Sequence, residues 1–127
     1  MPPLILVVED DQEICSVIGQ FLEGLGYGIA LATDRAAGER ILLDSRPALL
    51  IADVVLQGGS SGLTDIARQM DVPVLLMSGE PLTIERLDGG PQPFLHKPFR
   101  LADLERELVR LLPGYQVGER RASPHPR

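Results

Sequence analysis

The sequence predicts an α/β domain, a doubly wound parallel sheet of five strands with helices on both faces. Three observations lead there. Five short aliphatic runs recur along the 127 residues. Each run is continuously apolar rather than alternating, as strands buried on both faces are. The stretches between them mostly carry helical spacing, which implies right-handed crossovers between parallel strands.

The first run, LILVV at 4–8, stops at the acids Glu9, Asp10 and Asp11. A helix follows: Ile14, Val17, Ile18, Phe21, Leu22 and Leu25 recur at helical intervals as one apolar stripe, with Cys15 at its margin in a packing role, and Gly26 supplies the stop. GIALA at 28–32 is the second strand, and Thr33-Asp34 open a helix that runs to about Leu43. ALLIA at 48–52 is the third strand, followed by a helix with Leu63, Ile66, Ala67 and Met70 on one face. VPVLLM at 72–77 and the weaker PFLH at 93–96 complete the sheet. Between Ser78 and Phe94 three prolines and three glycines in 15 residues leave room only for a short or irregular fourth helix around Leu82 to Leu87. Leu101, Leu104, Leu108, Leu111 and Leu112 mark the last helix. Residues 113–127 are polar and aperiodic, so the domain is expected to span 1–112 with a flexible C-terminal tail at 113–127.

Twelve basic against 18 acidic residues give a net charge of -6, which argues against nucleic acid as a partner. The lone Cys15 can form no internal disulfide, and no secretory or membrane-spanning apolar run is present, which points to a reducing cytoplasm and no membrane.

Chemistry is expected outside the carboxyl ends of the strands, near the switch in strand order. There the sequence places Glu9 and Asp10 after the first strand, Asp53 at the end of the third, Ser78 after the fourth and Lys97 after the fifth. Singly, each has a local explanation: the acid triplet as a helix cap, Asp53 as a turn former, Ser78-Gly79 as a turn, Lys97 as a solvated surface lysine. Together at one sheet edge, three carboxylates repel unless a cation compensates them, and an oxygen-only ligand set suits Mg²⁺.

LILVVEDD, ADVVLQGGSSG, LLMSGE and FLHKPF, in this order over roughly residues 4–112, resemble the receiver domain of bacterial two-component response regulators of the stand-alone, chemotaxis-regulator type. The resemblance implies a flavodoxin-like (βα)5 fold that accepts a phosphoryl group from a phosphohistidine of a sensor histidine kinase or histidine phosphotransfer protein, then signals to a downstream protein. It implies Asp53 as phosphoacceptor, Asp10 and Asp53 as Mg²⁺ ligands, Glu9 acting mainly through metal-bound water, and the Val55 carbonyl completing the protein ligands. Ser78 and Lys97 would each contact a phosphoryl oxygen. Phe94 matches the switching aromatic, and Lys97-Pro98 matches a bond usually cis in the family. Val55 and Glu80 stand where dephosphorylation is tuned; apolar Val55 is expected to orient attacking water poorly and lengthen the phosphoryl lifetime.

Two departures stand out. Gln57 replaces a common proline, with the interval from Asp53 to Gly62 one residue longer than usual, and the interval from Ser78 to Lys97 is shorter. They leave room for a second reading, a phosphorylation-independent interaction module on the same fold. A Mg²⁺-dependent phosphatase with Asp53 as nucleophile is a third, but Val55 stands where such enzymes show a second acid. Flavin binding is disfavoured, since acids rather than a phosphate-cradling loop follow the first strand.

Overall fold

Every aliphatic run becomes a strand in the computed structural model, which describes residues 2–53, 61–79 and 93–113. In chain order the elements are β1 (Leu4–Val8), α1 (Gln12–Gly24), β2 (Gly28–Ala32), α2 (Arg35–Ser45), β3 (Leu49–Asp53), α3 (Ser61–Gln69), β4 (Val74–Ser78), β5 (Phe94–His96) and α4 (Leu101–Leu111). The helix expected around Leu82 to Leu87 and the tail from 114 onward lie outside the described residues.

All strand pairs are parallel, in the order β2-β1-β3-β4-β5. The chain steps one way from β1 to β2, then reverses across β1 to reach β3. Right-handed crossovers therefore put α1 on one face and α2 on the other, and a crevice opens above the ends of β1 and β3, where the direction changes. The fold is flavodoxin-like.

Strand side chains alternate between two cores. Ile5, Val7, Ile51 and Met77 pack with Ile18 and Leu22 of α1 and with Leu104 and Leu108 of α4. Leu6, Val8, Ala52 and Leu76 pack with Leu42 of α2 and with Leu63 and Ala67 of α3. Gly38 lets α2 lie close on β1: a Cβ there would stand 2.8 Å from Val8 Cγ2. Asp11 caps α1 by accepting from the Glu13 and Ile14 N–H groups, and Asp34 caps α2 by accepting from Ala37. Gly26, at φ 98°, turns the chain from α1 into β2.

Four details depart from the sequence reading. Val17 is 54% exposed and Leu101 38%, because both face a groove between α1 and α4 rather than the core. Cys15 lies inside the core instead of at a margin, its Sγ 3.8 Å from the Ala32 carbonyl oxygen. β2 is an edge strand and Leu31 is exposed, so it is not buried on both faces. β4 extends to Ser78, which is the last ladder residue rather than the first residue after the strand, whereas Asp53 ends β3 as expected.

Candidate functional site

Tight local bonding after β1 holds the first acid in place. The Glu9 N–H donates to the Ala32 carbonyl at 3.0 Å, carrying the ladder one residue past β1. Glu9 Oε2 accepts from the Asp11 N–H at 3.0 Å while Asp11 turns its own carboxylate to the helix it caps. Of the acid triplet, Glu9 is thus buried, Asp10 is exposed above the crevice, and Asp11 is the cap.

Asp53 ends β3 in register with Met77, and Ser78, also buried, ends β4 one residue further on. The Lys97 N–H donates to the Ser78 carbonyl at 2.7 Å, which ties the segment after β5 to the end of β4. From there the lysine reaches back across the sheet. Its Nζ donates to Glu9 Oε1 at 2.7 Å and to Asp53 Oδ2 at 2.9 Å.

Burial pushes the Glu9 carboxyl above its ordinary value, against the opposing pull of the Lys97 hydrogen bond. For Lys97, burial pulls down, but the bonds and charges of Glu9 and Asp53 together outweigh it and hold the ammonium above its usual value. The physical reason is a shortage of positive charge: one ammonium serves two buried carboxylates, with Asp10 beside them.

Carboxylate oxygens of Glu9, Asp10 and Asp53 lie within 4.8 Å of one another. Octahedral coordination at Mg²⁺–oxygen distances of about 2.1 Å puts ligand oxygens about 3 to 4.2 Å apart, so small side-chain adjustments close the set around such an ion. An all-oxygen, charge-deficient donor set with room for waters on the Asp10 side fits Mg²⁺.

The structure thus brings together Glu9, Asp10, Asp53 and Lys97, with Ser78 at the neighbouring strand end. Phe94 opens β5 half-buried against the α2/α3 core, its ring edge-on to His96 with centroids 6.3 Å apart. The Lys97-Pro98 bond is cis. Val55, Glu80 and Gln57 lie outside the described residues. Sequence reasoning passed over Phe99, which packs partly against the α1/α4 core and lines the α1/α4 groove next to Lys97. Its only signal was an apolar residue directly after Pro98.

Among the described residues no helix is long and apolar enough to cross a membrane. Residues 5–109 match the family model of the response regulator receiver domain. The phyllosphere-induced regulator PhyR of Methylorubrum extorquens is 34% identical over 130 residues, covering 95% of this chain and 47% of its own length. The chain spans about half the length of the curated relatives it matches. A CheY-like receiver domain of Methanospirillum hungatei superposes with a TM-score of 0.81 at 22% identity, covering 90% of this chain and 96% of that one. The receiver domain of a sensor histidine kinase of Pseudomonas aeruginosa, solved with magnesium coordinated in its active-site cleft, gives 0.77 at 28% identity over 89% and 99%.

Proposed function

From the premise that this chain belongs to the response regulator receiver domain family, we propose that it accepts a phosphoryl group on Asp53 in a Mg²⁺-dependent reaction and signals by a change of conformation. The observation that carries this is the clustering of Glu9, Asp10 and Asp53 oxygens within 4.8 Å, with the Lys97 ammonium bonded to two of those side chains.

Asp53 is the nucleophile. Its carboxylate oxygen attacks phosphorus while the bond to the donor breaks, and the strand-end position holds it in place for in-line attack. Lys97 faces a phosphoryl oxygen once its bond to Asp53 is released, and Ser78 donates its hydroxyl to another. Glu9, Asp10 and Asp53, with the Val55 carbonyl, would hold the Mg²⁺, Glu9 mainly through bound water. When bound, the ion neutralises charge on the transferring oxygens. The magnesium in the similar Pseudomonas aeruginosa domain supports this assignment.

The donor is a phosphohistidine of a sensor histidine kinase or histidine phosphotransfer protein, in the cytoplasm. The phosphorylated face is read by a downstream protein. Phe94 follows Ser78 as the switching aromatic, Val55 and Glu80 tune the lifetime, and residues 1–112 form the receiver unit. Phosphorylation adds charge and acceptor oxygens at the end of β3, which draws in the Ser78 hydroxyl at the end of β4 and biases a two-state switch.

The test is intact mass after incubation with acetyl phosphate and Mg²⁺. A gain of one phosphoryl group is expected, abolished by Asp53→Ala and by EDTA. No gain in the wild type, or a gain that survives Asp53→Ala, rejects the reading.

A further inference from the structure

The groove between α1 and α4 has an apolar wall that the described residues leave open. Ile14, Val17, Ile18, Phe99 and Leu101 line a space of about 730 Å³, with exposed Glu13 on its rim. Val17 and Leu101 stand exposed there, and covering them would remove apolar surface from water. Position, length and charge together name an occupant. α1 and α4 pack on the same face of a parallel sheet, so they run in the same direction and end at the same sheet edge. The chain therefore leaves α4 beside the end of α1, with Leu111 and Leu112 packed on the core that the two helices share.

α4 has 11 residues and is about 16 Å long. About five residues of extended chain, at roughly 3.3 Å each, lead from Leu112 back to the level of Leu101. That brings Val117 to the groove, with Tyr115 two residues before it on the same side of an extended chain. Arg120 and Arg121 then fall at the first turn of α1, where Glu13 stands. Residues 114–127 hold three of the 12 basic residues and one of the 18 acidic ones, so a segment of +2 is tethered to a body of -8. The charged side chains of α1 are all acidic, and Asp10 and Asp11 precede them.

We propose that residues 114–121 lie back along the groove as an intramolecular strap, with Tyr115 and Val117 against Val17 and Leu101 and the Arg120-Arg121 pair against Glu13. Tethering gives the segment an effective concentration of about a millimolar, so two apolar side chains and one charge cluster suffice to hold it. A protein that binds this face has to displace the strap first.

Hydrogen exchange read by mass spectrometry on the full chain tests this, with neither Mg²⁺ nor a phosphodonor present, so the outcome is independent of the phosphoacceptor reading. Amides 115–118 are expected to exchange about tenfold slower than unstructured chain. In the double variant Val17→Asn, Leu101→Gln they come within about twofold of unstructured chain, while β1 and β3 amides stay protected and report an intact sheet. Val109→Asn, exposed on α4 away from the groove, keeps the wild-type protection. Glu13→Arg reduces the protection, as does the pair Arg120→Glu, Arg121→Glu, and all three changes together restore it. Unprotected amides in the wild type overturn the proposal, and so does protection that survives the double variant. Protection that fades on about hundredfold dilution overturns it too, because the occupant is then the tail of a second copy. Charge reversal without restoration overturns the pairing with Glu13.

Discussion

Glu9 is the residue where stability and chemistry oppose each other. Its carboxyl is pushed up by burial although Lys97 is bonded to it, so the fold disfavours the ionised form. A group with a raised folded pKa contributes stability below its ordinary value, and that contribution is lost as pH rises through the raised value. Glu9→Gln removes the loss. In EDTA near pH 7 the variant is expected to melt above the wild type, the gap closing as pH falls into the ordinary carboxylate range. Thermal melts across that range check it; a variant less stable than wild type at neutral pH sinks the idea. The same substitution should weaken Mg²⁺ binding, read as a smaller rise in melting temperature on adding the ion. Asp11, by contrast, has a purely structural role, and nothing in the string EDD distinguishes it from its neighbours. Only the turn shows that the third acid points at the Glu13 and Ile14 N–H groups while the first is buried.

Among the elements, α2 and α1 set how firmly that acid is held. Gly38→Val is expected to cost about 1 to 3 kcal/mol, because even a Cβ would stand 2.8 Å from Val8 at the end of β1. It should also slow labelling of Asp53, since Val8 directly precedes Glu9. Gly24→Ala, at the end of α1 with nothing within 4 Å of the new Cβ, should instead stabilise by about 0.5 to 1 kcal/mol and leave labelling alone. Chemical denaturation paired with intact-mass kinetics tests both; a Gly38→Val protein as stable as wild type counts against the close fit. The five strands were legible because continuous aliphatic runs have few alternatives at this length. Their order was not, since composition does not say that β2 lies at an edge and leaves Leu31 exposed. Nor does helical period separate a core stripe from a groove wall, and so Val17 and Leu101 looked like Ile18 and Leu104. The place of Ser78 was hidden for another reason: polarity ends the apolar run at Met77, but backbone hydrogen bonding does not stop where polarity begins.

At the scale of the whole molecule, the acidic centre ties ligand binding to folding. An ion that binds only the folded chain stabilises it by about 2.7 kcal/mol at a hundredfold excess over its dissociation constant. Mg²⁺ is therefore expected to raise the melting temperature of the wild type by several degrees and that of Asp53→Ala by much less; equal shifts would place the ion elsewhere. Lys97 meets Asp53 across 44 residues of sequence and Glu9 across 88. Loop-closure entropy makes such distant pairings late events in folding. A nascent chain that has emerged as far as β4 already carries Asp53, but neither the ammonium nor the sheet edge that would orient it. On the proposed function the centre is thus a completeness check: only a chain threaded through to β5 would answer a donor, and half-made or misregistered molecules would stay silent.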